Sequence, residues 1–286
     1  MGKDSFTEFY LKMKNLVSKS RILVVLAIIS LSVSCKKDEV DTPDENKSGM
    51  LSLEFDNIIG DETLRFDSQD YTNAAGEKFS ITTLKYFVSN IKLKKADGSE
   101  YVVPQADSYF MVDGRDEDTR FAKVIVPEGN YTSVSFILGV DSLQNYSPIE
   151  DRKGVLNLTT SSDMYWSWNS GYIFFKLEGT SPAINDSTGI NIFRYHIGGF
   201  KDAMQNIREV NVNLNSGESA QVREGLRSNI HMLVDIKKVF DGTNSFSIAQ
   251  YPTIMVNPFS MNISANFFEM FKHDHTENFA KVDGVF

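Results

Sequence analysis

From Met50 onward, apolar and polar positions alternate with a period of two rather than 3.6. In Leu51-Ser52-Leu53-Glu54-Phe55-Asp56 the apolar side chains share one face of an extended chain and the polar ones share the other. The same alternation runs through Ser133–Val140, Val210–Leu214 and Ile230–Ile236. Turn-forming groups separate these runs: Ala96-Asp97-Gly98, Pro127-Glu128-Gly129-Asn130, Asn215-Ser216-Gly217 and Asp241-Gly242. Many short strands, each with one apolar and one polar face, predict an all-β fold, an antiparallel β-sandwich. No repeat of 20–50 residues is visible, which removes solenoids and propellers. Residues 49–286 read as one domain. Helix is expected only as a short C-terminal piece over 264–272, with Ser264 as its N-cap and an apolar i, i+3, i+4 set at Phe267, Met270 and Phe271. Ile81–Leu84 fits a short helix or a strand equally well.

The first 48 residues follow a different pattern. Lys12, Lys14, Lys19 and Arg21 precede the apolar run Ile22–Val33, which ends in Ser34-Cys35. A basic segment, a short apolar segment and small residues at the end are the layout of an export signal. The run falls short of the roughly 18 apolar residues a spanning helix needs. Ser32-Val33-Ser34-Cys35 resembles a bacterial lipobox, which makes residues 1–34 a lipoprotein signal peptide and Cys35 the acylated first residue of the mature chain. The following Lys36–Ser48 stretch holds one aliphatic residue and no aromatic, so residues 35–48 are expected to be a charged, disordered tether. Its Lys-Asp-Glu start resembles the signal that sends Bacteroidetes lipoproteins to the outer face of the outer membrane. The location expected is thus the outer membrane, at the cell surface or on its periplasmic side, with the bilayer as the partner of Cys35.

Composition narrows the chemistry. Lys and Arg number 29 against 38 Asp and Glu, a balance that argues against nucleic acid as a partner. Removing residues 1–34 takes five basic and two acidic residues, from 29 to 24 and from 38 to 36, so the formal charge moves from −9 to −12. The sole cysteine forbids a disulfide framework and a CxxC metal site. If it is lipidated, the mature chain has no thiolate, and a soft metal must find histidine, methionine or an altered aromatic. The sequence holds no G-x-S-x-G, P-loop or H-E-x-x-H motif, and the chain is read as a binding protein, not an enzyme.

The most unusual stretch is Met164-Tyr165-Trp166-Ser167-Trp168-Asn169-Ser170-Gly171-Tyr172, which contains both tryptophans of the protein. In a strand, Met164, Trp166 and Trp168 point the same way. Downstream, His196 stands among aromatics and is followed by Gly198-Gly199. His273 and His275 form a His-x-His pair, whose rings share one side only if the chain is extended there. His231, on the face opposite Met232 and Val234, is expected to face solvent. Two histidines with a thioether or aromatic nitrogen suit Cu(I), a soft ion content with few ligands.

The ordered set Tyr71-x-Asn73-x-x-Gly76, Leu84–Leu93, Tyr109–Asp113, Pro127-x-Gly129-x-Tyr131, Gly139-Val140-Asp141, Met164-x-Trp166-x-Trp168-x-x-Gly171-Tyr172 and His196-x-Gly198-Gly199 resembles the MbnP-like family over Met50 to Asp241. That resemblance implies an exported, β-rich protein, a lipoprotein in its Bacteroidetes members, binding a single copper ion through histidines. It also implies an oxidised tryptophan, kynurenine, as an added ligand in some members, with a di-haem enzyme of the cytochrome c peroxidase type as partner. Carried over, His196 is the best-matched ligand and Trp166 or Trp168 the candidate kynurenine, with Met164, His273 and His275 as further candidates. The chain departs from its relatives at Tyr146, where they often have histidine, and at Asp56, near which some have one. The competing expectation is a metal-free surface module whose Trp166 and Trp168 stack on a carbohydrate or a protein partner.

Overall fold

The computed structural model describes residues 42–281, except residues 68, 69, 169, 170, 186, 188 and 202. The expected signal peptide, Cys35 and the start of the tether lie outside the described residues. Ten strands carry the architecture: β1 (Ser48–Ile59), β2 (Lys78–Lys95), β3 (Tyr109–Asp113), β4 (Phe121–Pro127), β5 (Gly129–Leu138), β6 (Gly171–Thr180), β7 (Ile192–Gly198), β8 (Arg208–Asn213), β9 (Leu226–Asp235) and β10 (Phe271–Lys281). The first sheet runs β10-β9-β1, with β4 on the other side of β1; the second runs β8-β5-β2-β6-β7. β3 also pairs with β2.

The fold is all-β, as the alternation predicts, but its sheets are mixed rather than purely antiparallel. β1 lies parallel to β9, with Glu54 opposite His231, and antiparallel to β4. Its inward face, Leu51, Leu53 and Phe55, therefore lies in the middle of a sheet and is sealed from water. The two sheets meet through aromatic edges: Phe55 packs on Tyr86 at 6.2 Å and on Phe136 at 5.7 Å, and Phe136 on Phe271 at 5.1 Å. Such edge-to-face pairs add about 0.5–1.5 kcal/mol each beyond their area burial.

The second sheet is covered on both sides at one end. Tyr86 and Phe87 are consecutive in β2 and point to opposite faces, Tyr86 into the main core and Phe87 into a smaller one. This smaller core holds Val140, Leu156, Met164, Trp166, Tyr172 and Phe174, so the excursion between β5 and β6 folds back over that face. Asn145 locks it, donating to the Val140 and Asp141 carbonyls and accepting from the Tyr172 N–H.

Two expectations need correction. The helix near the end is two short turns, Ser260–Ala265 and Phe267–Met270, and it is not the terminus, because β10 follows it. Ser264 lies inside the first turn, with its hydroxyl donating to Asn206 Oδ1, and so does not cap a helix. The tether, expected to reach Ser48, is docked over its last residues. The Asp44 N–H donates to the Glu128 carboxylate at 2.9 Å, and Lys47 pairs with Glu224 at 3.0 Å. Glu128 accepts a second backbone N–H, from Glu224, and so ties the entering chain to the start of β9.

Candidate metal centre

The sequence-predicted ligands fall in three places. Met164 and Trp166 lie in the smaller core, Met164 fully buried and Trp166 nearly so. Trp166 belongs to a two-residue strand, Tyr165–Trp166, that pairs with the start of β6, and its indole packs against Gly198. Trp168 sits in the turn beyond that strand, its ring 5.8 Å from that of Trp166, and is 67% exposed. The two tryptophans are neighbours, but one is core and the other surface. Beside Trp166 a hollow of about 170 Å³ is lined by Gly171, Gly199, Phe200, Lys201 and Met204. Tyr146 stacks edge-on against Phe200 at 4.9 Å.

His196 lies on β7, on the polar outer face of the second sheet. Its Nε2 is 2.6 Å from Glu178 Oε1, and Lys176 is its cross-strand partner. Burial holds the ring below the usual histidine range, opposed by Glu178 and reinforced by Lys176 and Arg194. A metal at Nε2 would have to break the Glu178 contact beside a lysine, and Met164 is sunk in the smaller core. This end of the molecule fits a copper ion poorly.

His273 and His275 part company. In the β9–β10 register His231 faces His275 and Met232 faces His273, so Asp274 is an extra residue, a β-bulge. The bulge breaks the period of two that would have put both rings on one side. His273 turns inward, 2% exposed, and uses both nitrogens: Nδ1 accepts from the Asn215 N–H at 2.9 Å and Nε2 contacts Thr276 Oγ1 at 2.8 Å. It is a structural residue joining β10 to the 214–219 turn. His275 turns outward and stays half exposed.

The outward turn assembles a cluster the sequence did not reveal. His231 Nδ1 lies 3.1 Å and His275 Nδ1 2.8 Å from the same oxygen of Asp274, Oδ2. The two rings are 4.8 Å apart, centroid to centroid. Among the described residues this is the group of His, Cys, Asp and Glu whose ligand atoms lie close enough together to hold a metal, all within 4.8 Å. Hydrogen bonding to Asp274 raises His275 above its ordinary value, and the same two imidazoles lower Asp274. His231, expected to face solvent, does lie on the outer face, but its side chain is only 13% exposed, because strands flank it on both sides. Its Nε2 looks the other way, 3.9 Å from Glu54 and 3.7 Å from Asp56 on β1, and Arg120 answers those carboxylates at 2.8 and 3.6 Å.

The MbnP family model matches residues 48–256. The chain belongs to the MbnP family. A solved structure, MbnP from Methylosinus trichosporium, is similar at 15% identity, covering 71% of this chain and 80% of that one, with a TM-score of 0.47. No curated protein matches the chain. The MbnP match spans β1 through β9 and the Trp166 and His196 segments; it stops before β10, so two of the three members of the His231–Asp274–His275 cluster lie beyond it.

Proposed function

We propose that this protein is an exported, lipid-anchored binder of a single copper ion, serving acquisition or storage rather than catalysis. The match to the MbnP family over most of the folded chain carries this reading. The export-type segment ending at Cys35 supports the anchor at the outer membrane, and among the described residues no helix is long and apolar enough to cross a membrane. If kynurenine forms, Trp168 is the reachable substrate for a di-haem oxidising partner, since its ring is two-thirds exposed while Trp166 is shielded. Protein purified from its native host is expected to carry one copper per chain and an acyl-modified Cys35. Native protein with neither metal nor lipid would overturn the reading, and an intact mass with unmodified tryptophans would remove the kynurenine.

One observation favours the second reading, a module for a carbohydrate or protein partner. Trp168 and Tyr146 are both about two-thirds exposed and adjoin the rings that line the hollow beside Trp166. Exposed aromatics around a recess are the usual furniture of stacking sites. Loss of partner or glycan binding in Trp168→Ala, with copper content unchanged, would support it.

A further inference from the structure

We propose that the outer face of the β10-β9-β1 sheet is a divalent metal site built from His231, Asp274 and His275, with Cu(II) bound most tightly and Zn(II) next. The choice of copper as the physiological ion rests on the reading above, whereas the site rests on geometry.

The two histidine–carboxylate spacings already match a coordination sphere, and all three donor atoms lie within 4.8 Å of one another. An ion bonded to nitrogen and oxygen at about 2.0–2.2 Å holds neighbouring ligands about 2.8–3.4 Å apart. The two contacts to Asp274 Oδ2, at 3.1 and 2.8 Å, are of that length. On binding, each Nδ1 now donating to the carboxylate would offer its lone pair while the ring keeps one proton on Nε2: an imidazolium releases its Nδ1 proton to solvent and a neutral ring moves it to Nε2, and no electron changes hands. Three protein ligands with one side open to water, where His275 is half exposed, is the arrangement of an exchangeable site rather than a closed structural one.

The donor set selects the ion. Imidazole nitrogens with a carboxylate oxygen suit borderline divalent ions, while Cu(I) favours sulfur. Cu(II) then outranks Zn(II) in the general affinity order of divalent metals. Charge agrees, because Glu277 lies 3.9 Å from His275 Nε2 and Glu54 and Asp56 stand behind His231. An acidic face concentrates divalent cations. Asn229, two residues along β9, keeps its amide oxygen buried with no donor among the described residues, so this face is rich in acceptors.

The supporting shell is present too. A ligating imidazole usually presents its second nitrogen to a carboxylate that fixes its ring. His231 Nε2 faces Glu54 at 3.9 Å and Asp56 at 3.7 Å, longer than hydrogen bonds, and Arg120 pairs with both carboxylates. All three ligands sit on adjacent strands, and the bulge at Asp274 is what turns Asp274 and His275 towards His231.

The test is titration of the purified mature protein with CuSO4, with ZnCl2 and with acetonitrile-stabilised Cu(I), with electron paramagnetic resonance of the Cu(II) form. One Cu(II) per chain is expected, with hyperfine coupling to two imidazole nitrogens, and affinity should fall at least about tenfold in His275→Ala and in Asp274→Asn. His275 is exposed enough for its removal to leave the fold intact, and His231→Ala serves as the third arm. Absence of any divalent binding, or Cu(II) binding and spectra unchanged in both variants, overturns the site. Zinc lost in His275→Ala from a protein that carries no copper in its host keeps the site and overturns the copper reading. Copper lost only in His196→Ala keeps the copper reading and overturns the site.

Discussion

Trp166 packs against the bare α-carbon of Gly198, so closely that a Cβ there would come within 2.9 Å of the indole and 2.4 Å of the Tyr172 carbonyl oxygen. The absence of a side chain at 198 lets β7 approach β6 and the Trp166 indole this closely, with the tryptophan seated in the smaller core. Gly198→Ala should destabilise the protein by about 1–3 kcal/mol through overpacking, read as a lower urea midpoint together with a shifted tryptophan emission.

The two tryptophans should behave oppositely when removed. Trp166→Ala empties a nearly sealed position and is expected to cost about 3–5 kcal/mol. Trp168→Ala removes a surface ring and should change stability by no more than about 0.5 kcal/mol. Equal losses in equilibrium unfolding would contradict the division into core and surface.

Glu77 contributes to the acid limb of stability. Burial pushes its carboxyl up, but donors from Ser247, Asn73, Ala249 and Ile248 outweigh that and leave it below the usual value of 4.5. A group whose folded value is depressed stabilises the fold above its unfolded value and loses that contribution as pH falls through the folded one. Denaturant midpoints should therefore drop as pH falls below about 4.5, the ordinary glutamate value. Glu77→Gln should lose about 1–3 kcal/mol at neutral pH and show a flatter acid limb.

His273 is expected to matter for folding and not for metal. His273→Ala strips the acceptor from the Asn215 N–H and leaves a void where the buried ring stood, at a cost of about 1–3 kcal/mol. Copper stoichiometry in the variant that remains folded should equal that of the parent. A selective loss of copper without loss of stability would contradict this assignment.

The strands were legible because each carries the period-two signature locally: Leu51-Leu53-Phe55 and Ile230-Met232-Val234 fall inward as their alternation requires. The parallel pairing of β1 with β9 was not, since it joins segments some 175 residues apart and no local pattern records which strand inserts between which. The candidate centre was half legible. The sequence pairs His275 with His273, but the one-residue bulge at Asp274 sends His273 to the opposite face, and such a bulge leaves no mark in an apolar–polar pattern. His231 looked like a plain outward residue; only the arrival of β10 alongside β9 gives it a neighbour. The Trp166 segment was recognised from its residues, but that Met164 and Trp166 are core, and that Glu178 occupies His196, depends on long-range packing.

The central claim is that the metal rides on the first sheet, away from the tryptophans. Anomalous scattering at the copper edge, from crystals of the copper-loaded mature protein, tests it most directly. The account predicts a peak bonded to His231, Asp274 and His275. A peak at His196 and Trp166, with the outer face of β9 and β10 empty, would contradict it.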